Sequence, residues 1–268
     1  MEFIGILFIN QIYTRSDMKF PEIIIIGSAK CGTTALWYNL DKHPEISMAC
    51  KTKESVEFNF WRGPCWRKGI DWYKSKFEDG MICGEKSVLY LNKKGSMNDI
   101  HLNIPDVKLF ACLRHPVDRA YSQWQMNNLN GKVGSFTFSL FKSRYSNIGH
   151  YYDNIKDNVL PYFDKKQLHI CICEYMKKNP TVEMKKVFDF IGVSDLNLPK
   201  KVIYPILREK RTRQEDIILN RKEKFYRVWS RHKQKIRGSL RQDLLEYYKP
   251  HNERFFEFLG YEIGEWNK

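Results

Sequence analysis

Three short polar clusters carry residue types that could do chemistry, and each directly follows an apolar run: "GSAKCGTT" (27–34), "GEKS" (84–87) and "RHPVDRAYS" (114–122). The first nearly spells the phosphate-binding loop G-x-x-x-x-G-K-[ST]. Gly27 and Gly32 have its spacing, but Thr33 stands where the lysine belongs, and the lysine is Lys30, inside the loop. Backbone N–H groups of such a loop, and of a helix that follows it, form an anion cradle. Ser28, Ala29, Lys30, Cys31, Gly32, Thr33 and Thr34 are the candidate cradle residues, the two threonines adding hydroxyls. A lysine after the second glycine would reach the terminal phosphates of ATP. A lysine within the loop is placed instead to touch the bridging oxygen of a leaving group. In the third cluster, Arg114 follows "LFACL", where a nucleotide-hydrolysing strand would end in a metal-holding acid. Arginine cannot hold Mg²⁺ but binds a second anion. Ser122 lies eight residues on, about two helical turns, and joins Arg114 if the chain bends at His115–Pro116. Two separated anion sites suit a nucleotide carrying phosphate in two places.

The elements that must position these clusters alternate. "EIIIIG" (22–27) is a β-branched run that reads as a strand buried on both faces, and "GTTALWYNLDKH" reads as the helix after it. "MICGEKS", "DVKLFACLR" and "QLHICICE" are further strands. "HPVDRAYSQWQMNN" starts a helix with proline in its first turn, and "PTVEMKKVFDFIG" is a helix stopped by Gly192. "DLLEYYKPHNERFFEFLG" is helical with a break expected at Pro250. Alternation of this kind predicts an α/β three-layer fold with a central parallel sheet, in which ligands bind past the carboxyl ends of the strands. All three polar clusters fall there. One domain over 18–268 is expected, preceded by an extension over 1–17.

At 268 residues, 43% hydrophobic and 15% aromatic, the chain can bury a sizeable core and is not of the disordered class. It has no apolar run near 18 residues, so no transmembrane segment is expected, and "FIGILFI" (3–9) is a poor signal peptide. The seven cysteines have no C-x-x-C spacing, so free buried thiols in a reducing compartment, and no metal site, are expected. Cys171 and Cys173 are expected on one face of a strand. The net charge is +14, and residues 200–241 hold 15 lysines and arginines against 4 acids, a net of +11. That concentration suits an anionic partner or a highly charged nucleotide, with a solvated helix face as the plainer alternative.

Together these residues resemble the sulfotransferases that use 3′-phosphoadenosine 5′-phosphosulfate (PAPS), and within them the heparan sulfate branch. "GSAKCGTTAL" is similar to the family's 5′-phosphosulfate loop, "RHPVDRAYS" to its 3′-phosphate motif, and "GEKSVLYL" to its EKS/T-x-x-Y segment. "KGIDWY" (68–73) resembles a run in the heparan N-sulfotransferase domain. The likeness runs in order over about residues 20–195 and returns in the C-terminal helix.

The resemblance implies metal-free sulfuryl transfer from PAPS, leaving 3′,5′-adenosine bisphosphate (PAP), by a loose in-line displacement in which positioning and charge stabilisation do most of the work. Lys30 would stabilise the leaving oxygen, Arg114 and Ser122 would hold the 3′-phosphate, and Lys86 would face the sulfuryl group. The acceptor's proton needs a base. The family's E-x-x-[FW]-[FW] pattern fits Glu57 in "EFNFW", and a related pattern, glutamate after lysine, fits Glu54; spacing favours Glu57. Trp37, Trp61, Trp66 and Trp72 belong to the core or line an acceptor pocket. The expected acceptor is a small molecule or saccharide, by O- or N-sulfation, in a cytoplasmic enzyme of natural-product biosynthesis. "REKRTRQ" (208–214) is the candidate segment closing over the nucleotide. Rival readings are an ATP-dependent kinase with a degenerate loop and a basic nucleic-acid-binding protein; no helix-turn-helix or RNA-binding signature supports the latter. Oligomeric state is not legible.

Overall fold

The computed structural model describes residues 19–49, 57–128, 131, 133–195 and 236–267. The 1–17 extension, Glu54, and the basic segment up to residue 235 lie outside the described residues.

Strand β1 (Ile23–Gly27) is the centre of a five-stranded sheet and is buried along its whole length. The chain continues through α1 (Thr33–Asp41), β2 (Ile46–Met48), α2 (Gly69–Lys74), β3 (Ile82–Lys86), α3 (Ser96–Asn103) and β4 (Lys108–Leu113). Then come α4 (Pro116–Asn127), α5 (Phe138–Arg144), α6 (Tyr151–Asn158), β5 (Leu168–Ile172), α7 (Cys173–Lys178), α8 (Pro180–Ile191) and α9 (Gly238–Leu259). The strand order is β2-β3-β1-β4-β5, every neighbouring pair is parallel, and β1 has β3 on one side and β4 on the other. The strand order therefore reverses at β1, where open α/β sheets place their ligands.

Helices cover both faces, as a parallel sheet requires. Ile23, Ile25, Phe110 and Cys112 pack under Leu36, Trp37 and Leu40 of α1 and Met184, Val187 and Phe188 of α8. Ile24, Ile26, Leu109, Ala111 and Leu113 face the other way, against Ile100 of α3, Ile155 of α6, Phe255 of α9 and an aromatic group that includes Phe58, Phe60, Trp61 and Tyr73. A third cluster joins α4, α5 and α9 through Val117, Ala120, Trp124, Phe141, Leu244 and Tyr248.

Two sequence expectations are corrected. Pro250 does not break the last helix, which runs unbroken from Gly238 to Leu259 with the proline inside it. Neighbouring turns pack on α6 and α4 through Phe255, Leu244 and Tyr248, and this packing outweighs the lost hydrogen bond. Cys173 is the first residue of α7, not a strand residue paired in facing with Cys171. The six described cysteines are free.

Candidate functional site

The loop after β1 is shaped by its glycines. Gly27 has φ +148°, and a Cβ there would stand 3.0 Å from the Val88 carbonyl oxygen and 3.2 Å from Leu91 Cβ, so a side chain is excluded both sterically and conformationally. The Ser28 N–H donates to the Cys112 carbonyl at 2.7 Å, which ties the loop to the end of β4. Lys30 is left-handed at φ +69°. Gly32 N-caps α1, also left-handed, without a side-chain capping bond and with no acid in the first turn. The N-terminus of α1 thus lies past the carboxyl end of the central strand with its positive end uncompensated, as an anion site needs.

Lys30, Cys31, Gly32 and Arg114 line one cavity of about 180 Å³ together with Ala35, Leu36, Cys112, Cys171, Cys173, Met176 and Lys177. The expected loop and the expected second anion residue therefore share one space. Burial, with Arg114 as a second cation nearby, lowers the Lys30 pKa from its ordinary value. Among the described residues, Arg114 Nε and Ser28 Oγ are buried without a hydrogen-bond partner, and the Arg114 carbonyl is held by the Tyr151 hydroxyl at 2.7 Å.

Ser122 is buried on the second turn of α4 and is not among the cavity's lining residues. Met126, one turn further on the same helix, lies 3.5 Å from Lys30 Nζ through its Sδ, so this side of α4 is turned toward the loop. Cys31 is only 1% exposed and burial pushes its thiol up, which makes it a poor nucleophile. His115 is also buried, and burial lowers its pKa.

A second cluster meets the loop from the β3 side. Lys86 is 1% exposed and donates through Nζ to Glu57 Oε1 and, at 3.4 Å, to Thr34 Oγ1. The other Glu57 oxygen accepts the Val88 N–H at 3.1 Å. Lys86 and its neighbour Glu85 sit beside Ile25 and Ile24 in the sheet register, so their side chains leave opposite faces. Lys86 enters the site, whereas Glu85 enters the core. There it accepts hydrogen bonds from Tyr73, Tyr90 and Ser87, and burial pushes its carboxyl up to about 8.

Glu85 and Tyr90 stand five residues apart in one motif, and that spacing is the only sequence signal of their contact. Arg119 was missed as well: it is fully buried and bonds the Tyr145 carbonyl. Trp37 and Trp61 are core residues, while Trp66 is 39% exposed beside the Glu57 segment.

Of metal-ligating side chains, His150, Asp153 and His251 come together among the described residues. The two imidazoles stack at 3.7 Å with 6° between planes, so their in-plane lone pairs do not meet at one ion, and Arg254 already bonds Asp153.

Residues 20–251 match the model of the sulfotransferase domain family. The human heparan sulfate glucosamine 3-O-sulfotransferase 6 is 27% identical over 266 residues, 92% of this chain and 74% of that protein. The bovine bifunctional heparan sulfate N-deacetylase/N-sulfotransferase 2 is 25% identical over 66% of this chain, which spans 22% of that longer protein. Among solved structures, a sulfotransferase from Alicyclobacillus acidocaldarius superposes with a TM-score of 0.66 at 20% identity, covering 93% of this chain and all of that one. The sulfotransferase domain from the curacin biosynthetic pathway superposes with a TM-score of 0.54 at 14% identity, over 91% and 99%. With a five-stranded parallel sheet, a lysine-bearing loop after β1 and a match over most of its length, the chain belongs to the sulfotransferase family and is a PAPS-dependent enzyme of sulfuryl transfer.

Proposed function

We propose that the acceptor is a saccharide hydroxyl or amine, and that Lys30, Lys86 and Glu57 carry the reaction. The observation behind this assignment is the Lys86–Glu57 ion pair, which adjoins Thr34 at the entry of α1. One cation, one carboxylate and the anion loop are thereby brought to one place. The relatives named above are a glucosamine 3-O-sulfotransferase and a heparan sulfate N-sulfotransferase, which supports the saccharide class without choosing between oxygen and nitrogen.

The residues present fit PAPS. The uncapped α1 N-terminus, Lys30, and the unpartnered Arg114 Nε and Ser28 Oγ form a donor set short of acceptors, and buried donors of this kind are normally satisfied. In this reading Gly32, Thr33 and Thr34 bind the 5′-phosphosulfate through backbone N–H groups, with Ser28, Ala29 and Cys31 shaping the loop. Arg114 and Ser122 bind the 3′-phosphate. PAPS supplies the sulfuryl group. Lys30 neutralises charge building on the leaving oxygen, a contribution larger in the transition state than in the ground state. Lys86 would hold the sulfuryl group, and in doing so would loosen its hold on Glu57. Glu57 then takes the acceptor's proton through the oxygen that Lys86 released, while Val88 keeps the other in place.

The test is transfer of label from PAPS to a panel of glucosamine-containing oligosaccharides, with N-acetylated and N-free members. Label on one of these supports the reading; label only on non-saccharide alcohols or phenols contradicts the acceptor class.

A further inference from the structure

Glu85 is fully buried at the end of β3, where a carboxyl group is costly unless its oxygens are satisfied. Its partners are three hydroxyls, and each hydroxyl has a single proton to give. The Tyr73 hydroxyl accepts the Trp61 indole N–H at 3.2 Å and donates to Glu85 Oε1 at 2.8 Å. The Tyr90 hydroxyl accepts the backbone N–H of Phe60 at 2.8 Å and of Trp61 at 3.1 Å, and donates to Glu85 at 3.2 Å. Ser87 Oγ accepts the Asn59 N–H at 2.6 Å and donates to Glu85 Oε2 at 3.3 Å. An N–H can only donate, so each hydroxyl accepts from the 59–61 segment and has its own proton left to share with Glu85. Three backbone N–H groups and one indole N–H of residues 59–61 run through three hydroxyls to one carboxylate.

That segment needs holding. Asn59 and Arg62 are both left-handed, at φ +51° and +54°, conformations that non-glycine residues seldom keep without external support. Two residues before Asn59 stands Glu57. We propose that Glu85 is the positioning residue of the general base: through the three hydroxyl relays it fixes the 59–61 backbone, and with it keeps the Glu57 carboxylate in reach of Lys86. The proposal rests on Glu57 being the base. β3 then serves the same carboxylate from both faces, Lys86 by direct contact and Glu85 through the backbone. Burial lifts the Glu85 carboxyl to about 8, with the three hydroxyl bonds acting against that rise and Glu57 adding to it, so near neutral pH it holds a proton and gives it to one of the hydroxyls, which still accepts its N–H.

Glu85→Gln keeps the shape but sets two amide N–H donors, where the acid has one proton at most, among three hydroxyls that each need an acceptor. Amide hydrogen exchange on the full chain reads the effect without any acceptor. The expected result is exchange faster by about tenfold or more at Asn59, Phe60 and Trp61, with Leu109–Leu113 of β4 unchanged. No change at 59–61, or equal acceleration in β4, would overturn the proposal. Tyr90→Phe is the second variant should Glu85→Gln not fold: it should accelerate Phe60 and Trp61 but spare Asn59, and uniform behaviour of the three contradicts the relay.

The catalytic arm uses a double-mutant cycle. Glu85→Gln should lower kcat by about 10–100-fold, the scale of an ångström's misplacement, with the Kd of PAP within about twofold of wild type. In a Glu57→Gln background the same substitution should cost under about threefold. Full multiplication of the two losses would show that Glu85 does not act through Glu57. If Glu57→Gln alone leaves turnover intact, the base assignment fails, while the exchange measurement still decides whether Glu85 anchors 59–61.

Discussion

Lys86 and Glu57 form an ion pair in which the lysine is almost wholly buried and the glutamate keeps a quarter of its side chain exposed. The cation is fixed from beneath by β3 and the carboxylate faces outward. A base needs this asymmetry, since its proton comes from an acceptor arriving from solvent. Glu57→Gln should lower turnover by about 10²–10⁴ and leave PAP affinity within about twofold of wild type. Glu54→Gln should be nearly silent, because the spacing to Phe60 and Trp61 singles out Glu57. Steady-state rates of both variants check this, and loss of turnover in Glu54→Gln instead would move the base by three residues.

Arg114→Ala should weaken PAP by about 10–100-fold, the equivalent of one charge-assisted hydrogen bond of about 1.5–3 kcal/mol. An analogue lacking the 3′-phosphate should lose far less. Titration calorimetry with both ligands distinguishes a phosphate contact from a general loss of the cavity wall, for which the two would weaken together.

Lys30→Ala should remove nearly all turnover from a folded protein. The lysine sits at a left-handed position held by the loop, and its ammonium is already disfavoured by burial and by Arg114, so deleting it relieves repulsion in the free state. A melting temperature equal to or above wild type, together with lost turnover, is the expected pair of results. Retained turnover would take the lysine out of the mechanism.

The pH dependence of stability should carry the mark of Glu85. Its folded-state value is raised from an ordinary 4.5 to about 8, so the folded chain holds this proton more tightly than the unfolded one. The stability contribution is therefore fully present below about pH 4.5 and is lost as pH rises toward about 8. Burial drives the shift; the hydroxyls of Tyr73, Tyr90 and Ser87 oppose it and Glu57 reinforces it. The difference in stability between wild type and Glu85→Gln should accordingly shrink across that window and level off above it. Denaturant titrations at intervals of one pH unit measure it, and a difference independent of pH would remove the assigned shift.

The sheet and the anion loop were legible because they are local. Four successive isoleucines, glycines five residues apart and a strand ending in Arg114 declare themselves within a few residues. The spacing of Glu57 to the aromatics is equally local, and the structure sets that residue against Lys86. What stayed hidden depends on distant chain. The three-residue β2 pairs with β3 across more than thirty residues and has no periodicity to reveal it. Pro250 reads as a helix break until the packing of α9 on α6 and α4 is known. Glu85 stands in the sequence next to Lys86 with nothing local to show what it faces. Only the fold brings Tyr73 and Tyr90 to it and turns a surface-type residue into a buried hub.

Ligand-induced stabilisation with PAP, set against ATP with Mg²⁺, tests the central claim, that Arg114 reads a second phosphate beside the loop, most directly. At one hundred times its Kd, PAP should add about 2.7 kcal/mol to the folding free energy and raise the melting temperature accordingly. ATP with Mg²⁺ should add much less at the same concentration, because it offers nothing for Arg114 to read at the 3′ position. A shift with ATP equal to that with PAP would contradict the account.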